Sequence, residues 1–149
     1  MAIANQIKKP CSDSLVLLPL FSSAISAGFP SPADDHLEDR LDLNRYLISQ
    51  PASTFFMRFE GEPMLESGLQ HGDLLIVDRS VDPTDSKIVV AAINGELVVR
   101  RVRQSRRQMR LLSENPNCPT IYITKDTEFQ IWGVVTYVIR TLHSTRRLQ

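Results

Sequence analysis

From residue 54 onward, short apolar runs alternate with polar, turn-forming stretches, and the first fifty residues lack that rhythm. The alternation predicts strands over residues 55–60, 73–79, 87–93, 96–102, 108–113, 121–124 and 128–140, the last bent at Gly133. Leu74-Leu75-Ile76-Val77 is too continuously apolar for a half-exposed strand, so it is expected to be covered on both faces. Asn94-Gly95 is a two-residue hairpin signal joining the third and fourth strands. Before this region, Leu37, Leu41, Tyr46 and Leu47 can share one helical face, with Glu38, Asp39, Arg40 and Arg45 facing water. That spacing predicts one short helix over residues 36–49, or a shorter one capped by Asp42, ending at Pro51. Phe29-Pro30-Ser31-Pro32 is extended, because each proline disfavours helix in the residue before it. The expectation is a mainly β fold with an extended N-terminal arm and one short helix. It comprises an arm over 1–35, a core over 36–140 and a basic tail over 141–149.

Composition narrows the function classes. The chain has 149 residues, 42% hydrophobic and 23% charged, enough for one domain with a real core. Seventeen basic residues balance seventeen acidic ones, which gives no reason to expect general or sequence-specific DNA binding. No apolar run approaches the roughly 20 residues of a membrane span, so no membrane partner is expected. Lys8 and Lys9, then Leu15-Val16-Leu17-Leu18-Pro19-Leu20-Phe21, then small residues ending at Ala27, imitate a secretory signal. Asp13 and Pro19 interrupt that pattern, and a cytoplasmic location is expected, with an exported domain ending its signal at Ala27 as an alternative. Cys11 and Cys118 have no metal-ligand spacing and are read as free thiols. No cofactor and no metal are expected.

Four blocks carry a resemblance. They are Gly28-Phe29-Pro30-Ser31-Pro32-Ala33 with Leu41-Asp42-Leu43-Asn44, then Gly61-Glu62-Pro63-Met64, then Gly72-Asp73-Leu74-Leu75-Ile76-Val77-Asp78, then the run from Ile88 through Gly95-Glu96 to Arg100-Arg101. Glu114-Asn115-Pro116 and Trp132-Gly133-Val134-Val135 also fit. In order and spacing they resemble the self-cleaving serine peptidases related to UmuD and the LexA repressor. The resemblance implies a LexA C-terminal-domain-like irregular β fold. It also implies a cleavage bond at Ala27–Gly28, a serine in a Gly-Asp-Ser-Met loop, and an unprotonated lysine acting as its base. Pro63 stands at the serine position and has neither hydroxyl nor backbone N–H. Arg100 stands at the lysine position, and arginine keeps its proton (pKa above about 12), so it supplies no base. The reading is a degenerate dyad, probed against a rearranged one that would draw on Ser67, His71 or the lysines Lys8, Lys9, Lys87 and Lys125.

The resemblance further implies an accessory subunit in SOS-induced translesion DNA synthesis. Its implied partners are a second copy or related subunit in a homodimer or heterodimer, a Y-family polymerase subunit, and a RecA–single-stranded-DNA filament. A chain unable to cut itself would either stay uncleaved or be cut in trans. Separately, Arg100, Arg101, Arg103, Arg106, Arg107 and Arg110 place six arginines within eleven residues. Without an aromatic residue interleaving them, the run is read as a solvated hairpin tip rather than as a patch contacting DNA phosphates or an acidic partner face. Phe55, Phe56, Phe59 and Trp132 are read as core.

Overall fold

The computed structural model describes residues 15–21, 25, 28 and 37–143. The chain divides into two compact units, Met1–Ser49 and Gln50–Gln149. In the first, β1 (Leu17–Phe21) pairs antiparallel with β2 (Leu37–Asp42), Leu18 lying opposite Leu41, and α1 (Leu43–Leu47) follows directly. The helix expected over residues 36–49 therefore exists only in its shorter, capped form. Leu37 and Leu41, four residues apart, share a face in a strand as well as in a helix, and the run at Leu17–Phe21 supplies a strand partner that local pattern cannot reveal. Asp42 ends the strand and starts the helix, its carboxylate accepting the Asn44 N–H at 3.1 Å.

The second unit opens with a 3-10 turn at Pro51–Ser53 and builds one antiparallel sheet of seven strands. These are β3 (Thr54–Arg58), β4 (Leu74–Asp78), β5 (Ile88–Ile93), β6 (Glu96–Ser105), β7 (Gln108–Leu112), β8 (Ile121–Tyr122) and β9 (Phe129–Ile139). Their spatial order is β3-β4-β9-β5-β6-β7-β8, so the last strand in sequence closes the middle of the sheet. The fold is mainly β, as expected. Asn94 and Gly95 both take positive φ, 49° and 84°, the backbone a tight two-residue hairpin requires.

Two apolar clusters hold the sheet. One gathers Phe59, Met64, Leu69, Leu75, Val77 and Val90. The other gathers Val89, Ala91, Ile93, Val102, Leu111 and Val134. In β4, Leu75, Ile76 and Val77 are almost wholly buried, which accounts for their unbroken apolar run; such side chains each contribute about 1.5–3 kcal/mol on burial. β9 departs from regular pairing twice. Its register with β5 shifts between Val90 and Ala91, passing over Trp132, and its register with β4 shifts between Ile76 and Val77, passing over Thr136. Beside the first bulge, a Cβ on Gly133 would lie 2.7 Å from Val77 Cγ1 and 3.0 Å from the Asp78 carbonyl oxygen. The bend expected at Gly133 thus coincides with a close strand approach that only glycine permits.

Candidate functional site

The segment between β3 and β4 carries Gly61-Glu62-Pro63-Met64. Its base is closed by two hydrogen bonds: Phe59 N–H donates to the Asp73 carbonyl at 2.8 Å, and Gly72 N–H to the Phe59 carbonyl at 2.7 Å. Its middle is closed by Met64 N–H to the Leu69 carbonyl at 3.0 Å and Gly68 N–H to the Met64 carbonyl at 2.9 Å. Met64 and Leu69 are buried in the first cluster and pin the loop from below. Gly61 sits at φ 126°, where a side chain would be strained.

Two buried carboxylates hold this loop. Asp73 is 1% exposed. Its oxygens accept from Arg140 Nε at 2.7 Å, Arg140 Nη2 at 2.6 Å and the Gln70 N–H at 2.8 Å. Arg140 Nη2 also reaches the Gly68 carbonyl at 2.6 Å, so one guanidinium at the end of β9 ties both ends of the Gly68–Asp73 stretch. The hydrogen bond from Arg140 holds the Asp73 carboxyl below its usual range, against the opposing effect of burial. The same bond raises Arg140. Glu114, just after β7, accepts from the Ser67 N–H at 2.8 Å and from Arg101 Nε at 2.5 Å. Burial pushes the Glu114 carboxyl up, but the Ser67 and Arg101 hydrogen bonds together outweigh it and leave it below its ordinary value. Next to it, Asn115 Nδ2 donates to Glu62 Oε2 at 2.5 Å. Neither Glu114 nor Arg140 was singled out as a site residue from sequence. The available signal for Glu114 was its place in the Glu114-Asn115-Pro116 block; Arg140 gave none beyond its charge.

A cleft of about 410 Å³ lies along this loop. Gly61 and Glu62 line it, together with Met57-Arg58-Phe59-Glu60 from β3 and its exit, Leu97 to Arg100 from β6, and Ser113 and Cys118. The fold therefore brings the loop and Arg100, nearly forty residues apart, to one cavity. Pro63, next in sequence to Glu62, is exposed and is not among the residues that line the cleft. Arg100 Nη1 donates to the Val99 carbonyl at 2.9 Å, and its Nε is buried with no hydrogen-bond partner among the described residues. Proline contributes no N–H, and the Met64 N–H is already committed to Leu69. Neither residue therefore offers a free donor for a developing oxyanion.

The other candidate groups are occupied elsewhere. Ser67 Oγ donates to the Met64 carbonyl at 3.4 Å. His71 Nδ1 accepts the Gly61 N–H at 3.2 Å, which makes it a brace for the loop. Lys87 Nζ donates to the Asp82 carbonyl at 3.0 Å, and Lys125 is exposed. Cys118 is a free thiol in the cleft lining. Cys11, Lys8, Lys9 and Ala27 lie outside the described residues, and Gly28 is exposed. Among the described residues no group of histidine, cysteine, aspartate and glutamate could hold a metal ion. None of the helices there is long and apolar enough to cross a membrane.

Residues 19–136 match the Peptidase S24-like family. The chain is 45% identical over 141 residues to Protein ImpA of Salmonella typhimurium, covering 94% of this chain and 93% of that one. It is 47% identical over 127 residues to Protein SamA of Salmonella typhimurium strain LT2, covering 85% and 88%. It is 40% identical over 121 residues to Protein MucA of Escherichia coli, covering 80% and 82%. With its mainly β sheet and the Gly61–Asp73 loop facing Arg100 across a cleft, this chain belongs to the S24-like peptidases, in their UmuD-like LexA/UmuD group.

Proposed function

We propose that this chain is a UmuD-like accessory subunit of SOS-induced translesion DNA synthesis, and that it does not cut itself. The observation that carries the second half is chemical. At the two positions where the resemblance calls for a nucleophile and a base, Pro63 has no hydroxyl and Arg100 no removable proton. Loss of nucleophile and base together leaves no acyl-enzyme route. The fixed loop and open cleft support continued binding of an extended segment there, and Ala27–Gly28 is the bond such a segment would present.

On this reading the protein works in the cytoplasm as a homodimer or as a heterodimer with a related subunit. It engages a Y-family polymerase subunit and a RecA–single-stranded-DNA filament. Its arm stays attached or is removed in trans by an active relative. The test incubates the purified full chain with RecA filaments, and separately at alkaline pH, and follows its mass. Intact protein is expected in both arms, with a fragment beginning at Gly28 appearing only when an active relative is added. A Gly28 fragment formed by the pure chain would overturn the reading in favour of a rearranged dyad.

A further inference from the structure

The fold sorts the six arginines between residues 100 and 110 into different roles. Arg100 lines the cleft. Arg101 is ion-paired with Glu114 and also donates to the Ser86 carbonyl at 2.6 Å. Arg103 donates to Ser86 Oγ at 2.8 Å, and its charge helps to hold the nearby Asp85 carboxyl below its ordinary value. Among the described residues, Arg106, Arg107 and Arg110 form no ion pair. Arg106 and Arg107 form the exposed turn between β6 and β7. Strand register then places Arg103 directly opposite Arg110, and Arg110 directly opposite Tyr122 of β8. Directly opposed residues share a face, and neighbouring strands lie about 4.8 Å apart. Two arginines and a tyrosine thus form one row across three strands. Val102 and Leu111, also directly opposite each other, are buried in the second apolar cluster, on the other face.

Two features of this row point to a ligand. The Asp85 carboxylate offsets the charge of Arg103, whereas Arg110 and the turn arginines Arg106 and Arg107 have no carboxylate partner among the described residues, and a bound anion would supply one. Tyr122 is 51% exposed, so an aromatic ring sits in the basic face that the linear sequence leaves without one. We propose that the Arg103–Arg110–Tyr122 face, with Arg106 and Arg107 at its tip, binds single-stranded DNA. The guanidinium groups take phosphates and the Tyr122 ring stacks on a base. Duplex bases are already stacked and offer no face to the ring, and an acidic protein surface would use the charges without it. The choice of DNA over RNA rests on the proposed role in DNA synthesis.

Fluorescence anisotropy of a labelled oligothymidylate 20-mer with the full chain tests this. Binding is expected at low salt, weakening with salt at a log–log slope of about −0.7 for each phosphate neutralised, or about −2 for three. Replacing Arg106, Arg107 and Arg110 together by glutamine should abolish binding and its salt slope. Tyr122→Ala should weaken it about ten-fold and Tyr122→Phe should restore it. An oligomer of abasic sites should bind the wild type about as weakly as the 20-mer binds Tyr122→Ala. All of these positions are at least partly exposed, and thermal melts matching the wild type establish that each variant is folded; the exposed Arg106→Gln and Arg107→Gln pair repeats the test if the triple variant is not. Absence of binding in 50 mM salt, equal binding of polyglutamate or of a duplex, tighter binding of oligouridylate, or indifference to Tyr122→Ala would each overturn the proposal. Cleavage is not read in this assay, so its failure leaves the reading of the cleft standing or falling separately.

Discussion

The rim of the cleft and the framework beneath it contrast sharply. Beside the cleft, Pro63 is exposed, and within it Arg100 has a buried nitrogen without a hydrogen-bond partner among the described residues. A few residues away, Asp73 and Glu114 are buried, each meets an arginine and a backbone N–H, and the two together fix Ser67, Gly68 and Gln70. Pro63 and Arg100 supply no hydroxyl and no removable proton, while the groups that shape the loop are fully engaged. The shape of such a site is thus physically separable from its reactivity: the loop's geometry depends on buried ion pairs and cluster anchors, and none of these passes through positions 63 or 100.

The largest effect that would sharpen this contrast is expected at Asp73. Asp73→Ala strands the Arg140 guanidinium and frees the Gly68–Asp73 stretch. The change also leaves the Gln70 N–H without its acceptor, and urea unfolding would read the combined loss as a large drop in midpoint. Gly133→Ala comes next, because the new methyl group meets Val77 and the Asp78 carbonyl. Overpacking of this kind costs about 1–3 kcal/mol, seen as a lower Tm.

A pH scan gives a smaller, graded effect. Asp73 is held below its usual range chiefly by Arg140, Asp78 chiefly by the Ser80 hydroxyl, and Glu114 by hydrogen bonds that overcome its burial. A depressed folded-state pKa means the unfolded chain binds protons first. The stabilisation is therefore fully present above the ordinary carboxylate range near pH 4 and is lost as pH falls below it. Tm should be flat from neutral pH down to about 5 and decline below 4. A Tm that instead rises on acidification would contradict these assignments.

Much of this was legible in the sequence, for reasons tied to particular residues. The β3–β9 strands follow from period-two and continuous apolar runs, and Asn94-Gly95 fixed a hairpin because its backbone demands positive φ. That Pro63 has no hydroxyl and Arg100 no removable proton follows from residue type alone, and their assignment to the dyad positions rests on the resemblance of the motifs. The strand at Leu37–Asp42 was not readable, because its pattern suits helix or strand and its partner lies some twenty residues upstream. The Asp73–Arg140 and Glu114–Ser67 braces join residues 67 and 47 positions apart, and a charged residue's burial leaves no local mark. Tyr122 belongs to the arginine-rich face only through strand register, a long-range property.

The proposal that this site keeps its shape without its chemistry is tested most directly by supplying the missing groups. Pro63→Ser with Arg100→Lys supplies a hydroxyl and a base that can lose its proton when desolvated, within a loop whose braces are untouched. Mass spectrometry of the purified double variant at alkaline pH, or with RecA filaments, should show cleavage at Ala27–Gly28, and each single variant should remain intact. A folded double variant that stays whole, or a single variant that cuts, would contradict the account.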